Sequence, residues 1–275
     1  MQANDIHALA EGLLPVALAA GRVQMAYQAA GVTAITKADG SPVTAADQDS
    51  ETIILAALER IAPGVPVVSE EAAAAGKTPS VGASFFLVDP LDGTKPYLRR
   101  EPNFTVNIAL IEGGNPVFGL VYAPALQDLY VTTAPGAAAM ARLAPSSPAT
   151  TLAECGLVPL RTREPDPKHL SALLSQTHLD RATERFLANY CITERRAVAS
   201  SLKFVLLARG EADLYPRAGP TSEWDTAAGQ AVLEAAGGSV TALDGKPFRY
   251  GKPRFRNADG FVAWGRRPLA PEGRR

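Results

Sequence analysis

The chain has 275 residues, of which 47% are hydrophobic and 20% are charged, so it can bury a full core and is not an intrinsically disordered protein. Its 27 basic and 28 acidic side chains give a net charge of −1, which argues against nucleic acid polymers as partners because they attract proteins with a basic excess. The two cysteines, Cys155 and Cys191, are too few for a disulfide framework or a cysteine-type zinc site.

The hydrophobic pattern does not favour a membrane protein. The apolar run 13–20 is interrupted by Pro15 and has no basic leader, and no run of eighteen apolar residues occurs. We therefore expect no transmembrane segment and a cytoplasmic location. Peripheral association with the inner membrane and formation of a homodimer both stay open at this stage.

In chain order, the pattern predicts two helices and then a series of strands. Apolar residues recur at helical spacing over 4–30, which ends at Gly31, and over 43–61, where Thr44 can cap the helix. The strands that follow are predicted at 65–68, 84–88, 104–110, 117–122 and 129–133.

The composition changes after these strands. Residues 133–150 are rich in Ala, Pro and Ser without clear periodicity, which predicts a hinge between two lobes or a disordered loop. The second half of the chain alternates strand-like and helix-like stretches, a pattern typical of α/β layering.

Carboxylates follow several of the predicted elements. Glu70 and Glu71 come after one strand, Asp89 and Asp92 after the next, and Asp225 lies at the start of a predicted helix. Ligand sites gather at strand ends in layered α/β sheets, because side chains from separate elements meet there. These residues are therefore candidates for one common site.

The segment 89–94, DPLDGT, is the most constrained of these. Pro90 and Gly93 fold it tightly, so that Asp89 and Asp92 can point to one place while the Leu91 carbonyl turns outward. Such oxygen ligands suit Mg²⁺, and two ions roughly 3.5–4 Å apart would relieve the repulsion between carboxylates and clamp a phosphoryl group. The structural alternative is that the aspartates only build a turn.

Four separated motifs resemble, in order and spacing, those of the inositol monophosphatase-like superfamily. They are PVTAAD at 42–47, SEE at 69–71, DPLDGT at 89–94 and EWDTAA at 223–228. A closer likeness, to the bacterial CysQ-type 3′(2′),5′-bisphosphate nucleotidases, lies in the segments 104–112, 121–125, 200–204 and 212–217.

The resemblance implies an α/β (α+β) layered sugar-phosphatase fold, with alternating layers of helices and sheets. An N-terminal α+β lobe, 1–140, would carry the metal site, and a C-terminal α/β lobe, 141–275, would complete the active site. The implied activity is Mg²⁺-dependent removal of the 3′-phosphate from 3′-phosphoadenosine 5′-phosphate or its sulfated form. Two alternatives remain: an inositol or sugar monophosphate phosphatase of the same superfamily, and a metal- or phosphate-binding protein without turnover.

The resemblance also implies the metal ligands. Glu70, Asp89 and the Leu91 carbonyl would hold one ion, and Asp89, Asp92 and Asp225 a second. A third, weaker ion would lie near Glu70, and Li⁺ would inhibit the enzyme by displacing Mg²⁺.

Two residues would act on the attacking water. Asp47 and Thr94 would orient and deprotonate it, while the N–H groups of Gly93 and Thr94 would hold phosphate oxygens. Each role has a structural alternative, since Thr94 could be only a helix cap and Asp47 only the acidic member of a capping box with Thr44.

The substrate would touch a larger set of residues. Lys95 distinguishes the nucleotidases from inositol phosphatases, and Ser201 and Lys203 could donate to a second phosphate, although Lys203 could equally be a solvated helix residue. Pro96 and Gln176 depart from the nucleotidase pattern, which bears on specificity more than on catalysis. The implied substrate contacts are Glu70, Leu91, Asp92, Gly93, Thr94, Lys95, Ser201, Lys203 and Asp225.

Overall fold

The computed structural model of the chain describes residues 2–31, 33–37, 40, 42–176 and 180–271. Its α-helices are α1 (Ala3–Ala30), α2 (Ala45–Ile61), α3 (Glu70–Ala74), α4 (Thr94–Leu98), α5 (Arg181–Leu187), α6 (Leu202–Ala208) and α7 (Ala227–Ala235). Short 3₁₀ helices lie at Leu152–Cys155 and Pro253–Phe255.

The first nine strands are β1 (Ile35–Thr36), β2 (Pro42–Val43), β3 (Val67–Ser69), β4 (Ser84–Asp92), β5 (Thr105–Glu112), β6 (Asn115–Ala123), β7 (Asp128–Ala134), β8 (Ala137–Arg142) and β9 (Val158–Pro159). The remaining strands are β10 (Leu170–Ser175), β11 (Ile192–Val198), β12 (Leu214–Arg217), β13 (Thr221–Ser222), β14 (Ser239–Thr241), β15 (Arg256–Asn257) and β16 (Phe261–Trp264).

A seven-stranded sheet forms the centre of the N-terminal part, with β3 to β9 in sequence order. The pair β3–β4 is parallel and the later pairs are antiparallel. Because side chains alternate along a strand, Phe86 and Val88 of β4 pack with α1 and α2, while Phe85 and Leu87 pack on the opposite face with α6 and α7. The sheet is therefore covered by helices on both faces.

A five-stranded sheet forms the centre of the C-terminal part, in the order β11-β10-β12-β16-β14. One face packs with α6 and α7, and the other packs with Phe186 and Leu187 of α5. The layers thus run helix, sheet, helix, sheet, helix. This confirms the layered fold that the resemblance implies.

The central helix layer approaches the larger sheet very closely at Gly119 of β6. A β-carbon at this position would collide with the carbonyl of Ala228 and lie 2.8 Å from the β-carbon of Ala231, both in α7. Only glycine allows α7 to pack at this distance, because any other residue would push the helix away from the sheet.

The interpretation of residues 133–150 as a hinge or disordered loop is wrong. Residues Ala137–Arg142 form β8, which pairs with β7 after a turn at Gly136, whose φ is 69°. The small side chains Ala138, Ala139 and Ala141 are buried there. The seven-stranded sheet extends to Pro159, and the division of the chain at residue 140 stays a prediction.

The long helix α1 is apolar enough, by length and composition, to cross a membrane over Asp5–Ala30. However, 56% of its most apolar window is buried inside the structure, where it packs on α2 and the larger sheet. A helix that packs in a protein core passes the same test of length and composition. The cytoplasmic location stays a prediction.

Candidate active site

A bulge in β4 brings the two aspartates of the DPLDGT turn together. Asp89 pairs with Asn107 of β5 and Asp92 pairs with Thr105, so one extra residue lies on the β4 side. Such a bulge bends a strand and redirects its side chains. The Asp89 Oδ1 accepts a hydrogen bond from the Leu91 N–H at 3.0 Å, which closes the turn.

Gly93 ends this turn and precedes α4. Its φ is 98°, and a β-carbon there would lie 2.9 Å from the Asn103 carbonyl oxygen. Both facts require glycine at this position. Pro96 lies in the first turn of α4, where its missing N–H would have had no partner within the helix, so α4 forms despite this departure from the family pattern.

Three carboxylates from separate elements converge beside this turn. One oxygen each from Glu70 at the start of α3, Asp89 of β4 and Asp225 before α7 lie within 4.8 Å of one another. They line a cavity of about 840 Å³, and Leu91 and Asp92 line it too. We call Glu70, Asp89, Asp92 and Asp225 the carboxylate wall.

The charges of this wall are costly to bury. Burial, together with the neighbouring carboxylates, raises the pKa of Asp89 well above its usual range and that of Asp225 to about 8. Burial also raises the pKa of Asp92 to about 6, although Lys203 and the Ser201 N–H oppose this. A divalent cation would remove this repulsion, and oxygen ligands without His or Cys are those that Mg²⁺ prefers. The residues present therefore fit such an ion.

Lys37 contacts this wall and was not recognised in the sequence. Its Nζ lies 2.8 Å from Glu70 Oε1 and 2.6 Å from Glu71 Oε1. Burial lowers the pKa of Lys37, but the two carboxylates outweigh this effect and the net shift is upward. Burial raises the pKa of Glu71 to about 7. Lys37 thus offsets part of the negative charge from the side of the β1 segment.

Asp47 joins the start of α2 to the DPLDGT turn. Its Oδ2 accepts hydrogen bonds from the Thr44 N–H at 2.9 Å and hydroxyl at 2.6 Å, so the predicted capping box is present. Its other oxygen, Oδ1, lies 3.4 Å from the Thr94 hydroxyl. Burial raises the pKa of Asp47, while the bonds from Thr44 oppose this. The two oxygens therefore serve separate contacts, one in capping and one towards the cavity.

The sequence profile of the inositol monophosphatase family matches residues 6–267. The chain belongs to this family. Two curated relatives, both 3′(2′),5′-bisphosphate nucleotidase CysQ, from Shigella flexneri and Escherichia coli strain K12, are each 42% identical. Each of these alignments covers 78% of this chain and 82% of the relative.

Solved structures of the family have the same fold. CysQ from Bacteroides thetaiotaomicron superimposes with a TM-score of 0.77 at 31% identity, covering 95% of this chain and 98% of that one. An inositol monophosphatase from Anabaena gives a TM-score of 0.71 at 26% identity, covering 96% and 92%. The family is metal-dependent, in agreement with the carboxylate wall.

Some of the predicted substrate residues line the cavity with donors available to a ligand, whereas others already use their donors within the protein. Gly93, Thr94 and the exposed Lys95 line the cavity at the start of α4. Lys203 also lines it but is only 4% exposed, so the alternative of a solvated lysine is wrong. Both hydrogen-bond donors of Ser201 are already used within the protein, which speaks against its predicted contact with substrate.

The Lys203 ammonium is held by the chain that precedes α6. It donates to the carbonyls of Ser200 at 2.5 Å and Val198 at 3.1 Å, which leaves one of its three N–H groups. Burial lowers its pKa to about 8, an effect that Asp92 opposes. Lys203 can thus present one donor to a ligand in the cavity.

Arg217 at the end of β12 is a second cation that the sequence analysis did not single out. Its Nη1 donates to Ser175 Oγ at 3.3 Å and its Nη2 to the Pro220 carbonyl at 3.0 Å, and the guanidinium also interacts with the Tyr215 hydroxyl. Among the residues that the structure describes, its buried Nε has no hydrogen-bond partner. A buried donor without a partner is rare, and a water molecule or a ligand can supply its acceptor. We call Lys203 and Arg217 the cationic wall.

Proposed function

We propose that this protein is a Mg²⁺-dependent 3′(2′),5′-bisphosphate nucleotidase. It removes the 3′-phosphate from 3′-phosphoadenosine 5′-phosphate, or from its sulfated form, and releases the nucleoside 5′-phosphate or phosphosulfate with inorganic phosphate. The observation that carries this proposal is a single cavity lined both by carboxylates, which suit a metal ion, and by the cations Lys95, Lys203 and Arg217, which suit a second phosphate. Relatives that bear this enzyme's name at 42% identity support it.

Each wall suits a different part of such a substrate. The carboxylate wall, with the Leu91 carbonyl, would hold Mg²⁺, and the ion would supply the positive charge that polarises the cleaved phosphate and stabilises the departing oxygen. The cationic wall receives the phosphate that is kept, through the remaining N–H of Lys203 and the guanidinium of Arg217, which also lines the cavity. Lys95 lines the same cavity and adds a third positive charge.

Asp47 and Thr94 activate the water. Thr94 Oγ1 lies 3.4 Å from Asp47 Oδ1 and is placed to pass a proton from the attacking water to that carboxylate. Because the capping bonds go to the other oxygen, Oδ2, the acceptor oxygen stays free for this step. The raised pKa of Asp47 makes it a stronger base than an exposed aspartate.

The backbone around Thr94 holds the phosphate that is cleaved. Gly93 and Thr94 line the cavity where α4 begins, next to the carboxylate wall. Their N–H groups belong to the start of a helix, where an anion is favoured.

The test is the release of phosphate from three substrates by the full chain: 3′-phosphoadenosine 5′-phosphate, AMP and inositol 1-phosphate. Each is assayed with Mg²⁺, with Mg²⁺ plus Li⁺, and with a chelator. We expect kcat/KM to be at least about tenfold higher for the bisphosphate, because only it satisfies both walls. We also expect loss of activity with the chelator and inhibition by Li⁺.

Two outcomes would contradict the proposal. A preference for inositol 1-phosphate would assign the cavity to an inositol or sugar phosphatase, and Pro96 and Gln176 would then be the first residues to exchange. Absence of phosphate release from all three substrates would favour a phosphate-binding protein without turnover.

A further inference from the structure

Two sequence segments that resemble the nucleotidases meet at Asp92, where they bring together three side chains to which the proposed reaction gives no role. One is FTVN at 104–107, which starts β5, and the other is SSLK at 200–203, which starts α6. They contribute Thr105, Asn107 and Ser201, and the exposed fraction of each of these side chains is 1% or less.

These three side chains form one chain of hydrogen bonds. The Asn107 Oδ1 can only accept, so the Ser201 hydroxyl donates to it, at 2.7 Å. The Ser201 oxygen is then free to accept from the Thr105 hydroxyl at 2.9 Å. With its oxygen used in this way, Asn107 turns its amide Nδ2 towards Asp92 Oδ2, at 3.5 Å. The direction of each bond thus determines the next.

Ser201 also contacts Asp92 directly. Its backbone N–H donates to Asp92 Oδ2 at 2.5 Å, so both bonds to this carboxylate reach the same oxygen. Within the residues that the structure describes, Asp92 Oδ1 accepts no hydrogen bond, and Asp92 lines the cavity. The pair of bonds on Oδ2 therefore fixes the rotation of the carboxylate and leaves Oδ1 for a ligand.

The contact joins the two halves of the molecule. Asp92 and Thr105 are paired across β4 and β5 of the seven-stranded sheet, whereas Ser201 begins α6 in the layer between the sheets. Lys203, two residues further on, belongs to the cationic wall. The orientation of one carboxylate thus depends on where α6 lies.

We propose that Ser201, with Thr105 and Asn107, is a positioning residue that orients Asp92 for the cation and does not bind the substrate. Partners of this kind behind a metal ligand fix its orientation, and their loss typically costs about 10–100-fold in metal affinity. The proposal rests on the proposed function only in that a divalent cation binds at the carboxylate wall.

The experiment measures Mg²⁺ binding by isothermal titration calorimetry with no substrate present, and separately kcat and KM. The variants are Asn107→Leu, which removes the amide, Ser201→Ala, which removes the hydroxyl but keeps the N–H, and Ser201→Thr, which keeps both. Ser171→Ala is the matched control, because Ser171 is a similarly buried serine whose hydroxyl has no hydrogen-bond partner in the described part of the chain.

We expect Mg²⁺ affinity to fall about tenfold in Asn107→Leu and less in Ser201→Ala, and to stay at the wild-type value in Ser201→Thr and Ser171→Ala. The small Ser201→Ala change keeps the test valid if Asn107→Leu does not fold. Saturating Mg²⁺ should restore most of the kcat of both weakened variants.

The opposite pattern would overturn the inference. If Ser201→Ala raised KM for 3′-phosphoadenosine 5′-phosphate with Mg²⁺ affinity unchanged, Ser201 would be a substrate ligand. Unchanged affinity in both Ser201→Ala and Asn107→Leu, or absence of Mg²⁺ binding by the wild type, would also overturn it. If affinity falls as expected but the bisphosphate is not the preferred substrate, the proposed substrate fails while the positioning role stands.

Discussion

The carboxylate wall and the cationic wall of the cavity are held in different ways. The carboxylates lie close enough to repel one another. Among the described residues, Lys37 forms ion pairs with Glu70 of this wall and with the adjacent Glu71. Lys203 and Arg217 are instead held by carbonyls and a hydroxyl, with no salt bridge to a carboxylate in the described part of the chain. Both walls are thus prepared for charges that a ligand must bring: cations at one and an anion at the other.

The largest effect is expected from breaking the carboxylate wall with Asp89→Asn. The substitution removes one charge from the residue assigned to two ions, so kcat should fall by a factor on the order of 10³ or more. Steady-state kinetics at saturating Mg²⁺ measures this. Asp213→Asn is the control, because Asp213 is an equally buried aspartate paired with Arg163, and its loss should lower Tm but not the kcat of the folded enzyme. Wild-type kcat in Asp89→Asn would contradict the assignment.

A smaller loss is expected from Asp47→Asn. The amide keeps one oxygen for the bonds from Thr44 but is a very poor proton acceptor, so kcat should fall about 100-fold or more with Tm near the wild-type value. Glu154→Gln is a matched control, since Glu154 occupies the same position in the capping box of Thr151. Activity that only follows the folded fraction would reduce Asp47 to a capping residue.

On the cationic wall, Lys203→Ala should raise KM for the bisphosphate nucleotide but not for a monophosphate substrate. Loss of a charged hydrogen bond typically costs about 1.5–3 kcal/mol, so KM for 3′-phosphoadenosine 5′-phosphate should rise roughly tenfold or more. Inositol 1-phosphate has no second phosphate, and its KM should stay nearly unchanged. Equal increases for both substrates would show that Lys203 supports the whole site through its bonds to the chain before α6.

The smallest expected effect is the pH dependence of the protein's thermal stability when no metal is bound. The pKa values of Asp92 and Asp225, raised by burial to about 6 and about 8, mean that the folded protein keeps protons which the unfolded chain has already released above pH 5. Stability should therefore fall as the pH rises from 5 to 7.5, by on the order of 2–4 °C in Tm per pH unit. Thermal melts in chelator measure the slope. Mg²⁺ should flatten it, and equal slopes with and without Mg²⁺ would contradict the electrostatic account.

Apolar periodicity in the sequence predicts most of the helices and strands. The remaining strands depend on pairing with other strands in the folded protein. The helices at 4–30 and 43–61 and the strands of the larger sheet follow from apolar periodicity, and the structure has them within a few residues. β8 could not be predicted in this way, because its run of alanines does not alternate between apolar and polar residues. Its extended conformation depends on pairing with β7, which only the folded chain supplies.

The site shows the same division between local and distant contacts. Asp89 and Asp92 could be predicted together because one tight turn carries both. Lys37 pairs with a carboxylate 33 residues away, and Ser201 bonds one 109 residues away, so no local pattern reveals either contact. Arg217 lies in a segment that resembles the nucleotidases, but its unpaired Nε appears only in three dimensions.

The absence of a side chain at Gly119 affects the distance between the carboxylates of the proposed metal site. α7 begins two residues after Asp225, and it rests directly on the backbone of β6 at that glycine. Asp89 belongs to the same sheet, so the thickness of this one contact sets how far apart the carboxylates from the two halves lie. Gly119 thus limits the distance between α7 and the sheet. Even the methyl group of alanine would push α7 outward, and Asp225 would then move away from Asp89 and widen the ion site.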